Sequence, residues 1–163
     1  MTTLRIGCGI DVHRFERGKK LILGGCSIPC ERGLEGHSDA DVVVHAVIDA
    51  LLGAAGEGDI GEHFPPGDPK YRGISSLELL EQVSQILAGN GFSVENIDVT
   101  IMLETPSLRG YKEEMVENIS QHVNICSERV NVKATTFEGL GFVGQEKGAA
   151  AEAVALLRRR ENG

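Results

Sequence analysis

Residues 9–15 read GIDVHRF, placing a carboxylate and an imidazole two positions apart in an otherwise apolar, β-branched run. Side chains at i and i+2 of a strand share a face. Asp11 and His13 therefore project together, while Ile10, Val12 and Cys8 belong to other surroundings. Such a pair near the end of a strand is costly to bury without a partner. Each other, water or a metal ion would serve.

A second concentration of polar chemistry lies in residues 37–55, HSDADVVVHAVIDALLGAA. Ser38 followed by Asp41 has the spacing of a capping box, so a helix is expected from about Asp39. Nearly every position within it is Val, Ala, Ile or Leu, which buries it on most sides. At roughly 100° per residue, Ser38, Asp41, His45 and Asp49 fall in one stripe about 80° wide. His37 stands next to that seam. Alone, His45 is accounted for as a core histidine satisfied by Asp41 or Asp49 one turn away. If Asp11 and His13 lie opposite, the three offer one carboxylate oxygen and two imidazole nitrogens, the donor set of a catalytic zinc with its fourth position open.

The third stretch is KATTFEGLGFVG, residues 133–144. Two threonines close a strand, Glu138 follows, and glycines stand at 139, 141 and 144. Threonine hydroxyls and glycine-loop amides suit phosphate, and a single glutamate suits a hard divalent ion. A β-turn after a β-branched strand explains the glycines but not Thr-Thr-x-Glu.

The elements that must position these residues follow from periodicity. Residues 4–12 alternate as a half-buried strand, and LILGG and CSIPC form two short strands around Gly24-Gly25. After the first helix, GEGDIGEHFPPGDPKYRG is too punctuated to be regular. A second helix begins near Ser75-Ser76, buries Leu79, Leu80, Val83, Ile86 and Leu87, and ends at 89–91. IDVTIML is a strand, Pro106 opens a third helix through Met115, Val116, Ile119 and Val123, and VNVKATT is another strand. GAAAEAVALLRRR reads as a closing helix whose basic residues, Arg158, Arg159 and Arg160, favour its C-terminal end. Strands alternating with helices indicate an α/β or α+β sandwich, one sheet backed by helices.

Bulk properties narrow the function. The 163-residue chain is 41% hydrophobic and 25% charged, enough for one globular domain over residues 1–163. A formal charge of −8 argues against nucleic acid as the main partner. Cys8, Cys26, Cys30 and Cys126 have no second pair to complete a zinc site with Cys26-x-x-x-Cys30, so they are expected to be reduced thiols. No apolar run is long enough to span a bilayer, and MTTLRIG lacks the apolar core of a signal peptide. A cytoplasmic location is expected.

DVH at 11–13, EGHSDADVVVHAVIDALLGA at 35–54, GDIGEHFP at 58–65 and NVKATTFEGLGFVG at 131–144 together resemble the 2-C-methyl-D-erythritol 2,4-cyclodiphosphate synthase family of the non-mevalonate isoprenoid pathway. The resemblance implies a four-stranded mixed sheet with helices on one face. It also implies a homotrimer with active sites at its subunit interfaces. The implied reaction is cyclisation of 4-diphosphocytidyl-2-C-methyl-D-erythritol 2-phosphate with release of CMP. It implies zinc on Asp11, His13 and His45, and a second divalent ion, Mg2+ or Mn2+, on Glu138. His37 and Thr136 match the pair that stabilises the transition state, with Ser38 adding a contact. Asp59, Ile60 and Gly61 match the segment binding substrate hydroxyls. Phe64, Pro65, Pro66, Gly67 and Asp68 match a mobile loop over the methylerythritol portion. Leu103, Glu104, Thr105, Pro106, Ser107, Leu108, Arg109 and Thr135 join Thr136 as the cytidine pocket. Phe137, Phe142 and Gln145 complete the implied substrate-binding set.

Two positions depart from the family pattern. Ser107 stands where a basic residue is frequent near the nucleotide phosphate, and Gln145 where an arginine is frequent at a central apolar cavity. Two other functions fit the residues: a zinc-dependent phosphate-ester hydrolase using Asp41 as general base, and a non-catalytic trimeric binder of isoprenoid diphosphates.

Overall fold

The computed structural model describes residues 3–159. The first strand, β1 (Leu4–Arg17), alternates along its length: Gly7 and Gly9 are buried, Asp11, His13 and Phe15 half-buried, and the residues between them exposed. Asp11 and His13 thus share the inward face, as their spacing predicts. A hairpin, β2 (Leu21–Leu23) and β3 (Cys26–Ile28), turns at Gly24-Gly25, and β4 (Arg32–Leu34) returns to pair with the end of β1. Helix α1 (Val42–Ala55) is followed by a single turn, α2 (Ile60–His63), and by α3 (Ser76–Gly89). Then come β5 (Phe92–Met102), α4 (Lys112–His122), β6 (Val130–Thr135), a second single turn, α5 (Gly141–Gly144), and β7 (Gly148–Arg159).

The sheet has five strands in the order β4-β1-β7-β5-β6, not four; the additional strand is the three-residue β4, too short to leave a periodic signal. It is mixed, since β5 and β6 run parallel while the other pairs are antiparallel. Helix α1 packs on β1 and β7, α3 packs on α1, and α4 packs on α3 and β6. One face of the sheet is therefore covered by helices. On the other, Ile6, Ile10, Val12 and Val154 remain exposed.

Three local expectations are corrected. The closing segment is not a helix but β7, whose Ala149, Ala151, Ala153, Ala155 and Leu157 are wholly buried beneath the helices. Alanine, leucine and glutamate favour helix in isolation. Ladders to β1 on one side and β5 on the other override that preference. Arg158 and Arg159 consequently end a strand, where Arg158 pairs with Glu95 at 3.0 Å and Arg159 lies 5.7 Å from the Phe92 ring; Arg160 lies outside the described residues. The third helix starts at Lys112, not Pro106, because residues 103–110 form an irregular segment.

Ser38 does not cap α1. The N-cap is Asp41, fully buried, whose carboxylate accepts N–H bonds from Val43 and Val44 at 3.1 Å, Gly24 at 2.9 Å and Gly25 at 2.6 Å. One side chain starts the helix and holds the hairpin turn against it. Replacing Asp41 by alanine removes the cap and orphans buried donors. Chemical denaturation should show Asp41→Ala losing about 3 kcal/mol, while Ser38→Ala loses under about 1 kcal/mol.

Candidate metal centre and active site

The approach of α1 to β1 builds the centre. A Cβ on Gly7 would lie 2.0 Å from the Ala50 carbonyl oxygen, and one on Gly9 2.1 Å from that of Ala46. Helix backbone thus rests directly on strand backbone, and the next inward residues of β1, Asp11 and His13, come beneath the turn carrying His45. Asp11 Oδ2 lies 2.9 Å from His13 Nε2 and 2.9 Å from His45 Nδ1. The two imidazole rings are 5.5 Å apart at 56°. One ligand atom from each of the three residues falls within 4.8 Å of the others.

The partners of the remaining ring nitrogens decide what this arrangement can hold. His13 Nδ1 is 2.5 Å from the Glu35 carbonyl oxygen, which only accepts, so Nδ1 carries a proton. In the neutral ring Nε2 then presents its lone pair to a carboxylate oxygen, acceptor against acceptor. A positive charge must sit between them, either a proton on His13 or a metal ion. The electrostatics agree. Burial alone would raise the Asp11 carboxyl, but the His13 and His45 rings beside it more than reverse this and hold it well below the usual carboxylate range. The Asp11 hydrogen bond raises His13 above its ordinary value of 6.5 against the opposing pull of burial. This donor set fits a divalent cation, with the second-atom bonding typical of metal-ligating histidines.

A cavity of about 190 Å³ opens beside the triad. His13, His37, Ser38, His45, Ile60, Gly61, Phe64 and Pro66 line it, so much of the site expected from sequence is brought together here. Tyr71 and Leu79 also line it, apolar walls that periodicity marked only as loop and core. Asp59 does not line the cavity: it caps α2 by accepting from Glu62 N at 3.0 Å. Asp49 accepts from Ile60 N at 2.8 Å, fixing the start of the same turn. Phe64 is buried edge-on against Tyr71 at 5.4 Å, whereas Pro65, Gly67 and Asp68 are exposed outside the lining.

A second cavity, about 380 Å³, is lined by Leu103, Glu104, Thr105, Pro106, Ser107, Leu108, Arg109, Lys112, Ala134, Thr135 and Thr136. It contains every position expected from residues 103–109 and 135–136. Lys112 was missed because it reads as a helix residue, yet it supplies a cation beside Arg109 where Ser107 cannot. The Glu104 carboxylate accepts N–H bonds from Phe137 at 3.0 Å and Gly139 at 3.2 Å, and Thr136 Oγ1 donates to Glu138 at 3.2 Å. The register runs Val12, Ala150, Met102, Thr135 across the sheet, so the triad and this cavity lie at the same end, three strand spacings or about 14 Å apart. They share no lining residue. Phe142 lies instead in a third groove with Arg14, Arg32 and Lys147, and Gln145 is exposed at the end of α5.

Asp41 is no general base here. Burial pushes its carboxyl up to about 6, against the N–H groups of Gly25, Val44 and Gly24, and its oxygens are engaged by backbone. Cys26 is buried, pushed up to about 12 by burial and then by Glu114, while Cys30 is exposed. Among the described residues, the group of potential metal ligands is Asp11, His13 and His45. No helix among those residues is long and apolar enough to cross a membrane.

A family model described as the YgbB family matches residues 4–158. A Dehalococcoides mccartyi protein named 2-C-methyl-D-erythritol 2,4-cyclodiphosphate synthase is 56% identical over 154 residues, covering 94% of this chain and 98% of the relative. The bifunctional IspDF of Campylobacter jejuni superposes with a TM-score of 0.94 at 41% identity; 98% of this chain is covered but only 43% of that one. A Plasmodium falciparum IspF, solved as a CDP complex, gives 0.84 at 30% identity over 97% of both chains.

Stability in the absence of metal should report the Asp11–His13 contact. The depressed Asp11 contributes stability present above its unfolded value near 3.8 and lost as pH falls through its folded value. The raised His13 contributes stability that is full below 6.5 and lost as pH rises through its folded value. In chelator, wild type minus His13→Gln should therefore be largest between about pH 4 and 6.5 and decline above it. Urea melts at three pH values measure the difference. With divalent metal the trend should reverse, because binding needs the deprotonated imidazole.

Proposed function

The chain belongs to the YgbB family and is an enzyme of the cyclodiphosphate synthase class; from that premise we propose that it cyclises 4-diphosphocytidyl-2-C-methyl-D-erythritol 2-phosphate. An oxygen of the 2-phosphate attacks the β-phosphorus, the bond from that phosphorus to the bridging oxygen breaks, and CMP leaves with it. The product is 2-C-methyl-D-erythritol 2,4-cyclodiphosphate. No water is consumed. The observation that carries this reading is the convergence of Asp11, His13 and His45 at a cavity whose other walls are His37, Ser38, Ile60 and Gly61.

Such a transfer asks little of acid or base catalysis, because the nucleophile is already ionised and the leaving group is a stable anion. Charge repulsion and in-line geometry are the obstacles, so positioning and electrostatics dominate. Asp11, His13 and His45 would hold zinc, which would supply positive charge to offset the repulsion between the phosphates. Glu138 offers a carboxylate for a second divalent ion, Mg2+ or Mn2+, and Thr136 is already bonded to it. His37 donates to the reacting phosphates, and Thr136 joins it by turning its hydroxyl away from Glu138, with Ser38 beside them. Asp59, Ile60 and Gly61 receive the substrate hydroxyls, and residues 64–68 cover the methylerythritol portion. The cavity at 103–109 takes cytidine, with Lys112 and Arg109 near its phosphate. Residues 1–163 act as one domain, in the cytoplasm.

The active site is assembled across a homotrimer, the triad cavity of one subunit meeting the nucleotide cavity of its neighbour. Two features support this. The two cavities share no lining residue within one chain, and the outer face of β1 presents Ile6, Ile10 and Val12 to solvent. Such a face is characteristic of an interface.

Two measurements test the reading. Following ³¹P NMR with magnesium present, wild type should yield CMP and cyclic diphosphate, while His45→Ala should fall by about three orders of magnitude. Release of CDP, or a ring-opened product carrying solvent oxygen, would refute the cyclase. Co-refolding equal amounts of His45→Ala and Thr136→Ala should restore about a quarter of the sites if each site draws on two subunits. No restoration would place both residues in one subunit's site.

A further inference from the structure

Ser76 is a wholly buried hydroxyl to which neither the sequence reading nor the reaction assigns a task. It is the first residue of α3, and its Oγ lies 2.9 Å from His45 Nε2, the ring nitrogen opposite the one facing Asp11. It is also hydrogen-bonded to the Asp39 carboxylate. That contact decides the proton. A carboxylate can only accept, so the single hydroxyl hydrogen of Ser76 goes to Asp39. Ser76 Oγ is then left only lone pairs to offer His45, which must donate through Nε2–H. Nδ1, 2.9 Å from Asp11 Oδ2, is thereby left with its lone pair in the triad.

Asp39 is itself held in place. It accepts from Ser76 N at 2.9 Å and from Asp41 N at 3.3 Å, and its own N–H donates to the Ile74 carbonyl at 3.2 Å. Ser75, the N-cap residue of α3, makes no side-chain cap bond, so Asp39 serves the start of that helix from outside it. Ser38 Oγ also approaches His45 Nε2, at 3.1 Å, and accepts from Ala40 N at 3.3 Å. Its hydroxyl proton has no carboxylate to claim it, so Ser38 can present either a donor or a lone pair to the ring. Ser76 cannot.

Resting on the metal-centre reading above, we propose that the Asp39–Ser76 pair is a positioning device that selects the His45 tautomer and makes Nδ1 the metal ligand. His13 receives the same service from the Glu35 carbonyl, which fixes its proton on Nδ1 and frees Nε2. The two histidines thus ligate through different nitrogens, each chosen by an acceptor on the far side of the ring. Orienting partners of this kind govern metal affinity by about 10- to 100-fold.

Ser76→Ala separates this role from the docking of α3, because the backbone N–H bond to Asp39 survives the substitution. The experiment is zinc titration against a chromophoric chelator, run on wild type, Ser76→Ala and His45→Ala without substrate. Ser76→Ala should bind zinc about 10- to 100-fold more weakly, with the zinc-free protein melting as wild type does. Unchanged zinc affinity in Ser76→Ala, with His45→Ala impaired, would overturn the relay and leave the metal centre standing. Zinc retained in full by His45→Ala would overturn both. Imidazole ¹⁵N NMR of zinc-loaded wild type needs no variant. A proton on His45 Nε2 with zinc on Nδ1 supports the assignment, and the opposite arrangement refutes it.

Discussion

Backbone contact between α1 and β1 is the constraint from which the rest of the molecule follows. At Gly7 and Gly9 the strand carries no side chain, and a Cβ would enter the Ala50 and Ala46 carbonyl oxygens at 2.0 and 2.1 Å. Close packing at this depth leaves no alternative register, since a methyl group at either position would force the layers apart. The small residues are shared by both partners: β7 beside β1 presents Ala149, Ala151, Ala153 and Ala155 to the same helical layer. Continuing the inward row of β1 past Gly9 brings Asp11 and then His13 under His45. The triad is the polar end of a stripe whose apolar end is close packing.

That origin explains why the histidines are not simply core residues satisfied by neighbours. A core histidine needs one donor and one acceptor. Here both rings have an acceptor on the outer side, Glu35 O for His13 and Ser76 Oγ for His45, and share an anionic acceptor on the inner side. Two inward lone pairs, on His13 Nε2 and His45 Nδ1, therefore face one carboxylate oxygen. Protonation of His13 relieves one of those contacts in the absence of metal, and a divalent ion relieves both. Asp49 and Asp41, a turn to either side of His45, were the other conceivable partners for the ring, but Asp49 accepts from the Ile60 N–H and Asp41 is turned away. Its oxygens face the hairpin turn and the helix start instead.

Residues whose meaning depends on period were legible in the sequence. Asp11 and His13 follow from the two-residue repeat of a strand, His45 from the buried character of its helix, and the Thr135–Glu138 turn from its residue types. Where competing preferences had to be weighed by tertiary contact, the reading failed. The alanine-rich β7 has helical composition, and only its place between β1 and β5 makes it a strand. Ser38 and Asp41 have the spacing of a capping box, but the cap belongs to the residue that also reaches Gly24 and Gly25. Asp39 and Ser76 are 37 positions apart, and nothing local links them. Lys112 reads as one more solvated helix residue, and only the irregular 103–110 segment brings it to the second cavity.

For the proposed reaction, an acidic chain must concentrate its cations to hold a phosphate-rich substrate. The net charge of −8 disfavours anions at long range, so local arrangement has to reverse the sign. Around the triad the fold supplies few fixed cations, and the surrounding carboxylates make the site a sink for metal ions instead. At the second cavity it does the opposite: Arg109 and Lys112 face a pocket whose acidic member, Glu104, is occupied by the Phe137 and Gly139 N–H groups. The two N–H dipoles aimed at Glu104 offset part of its charge, and the contact holds the turn that carries Thr136 and Glu138. Under the proposed reaction, one end of the substrate would be met by metal-borne charge and the other by side-chain charge from a neighbouring subunit.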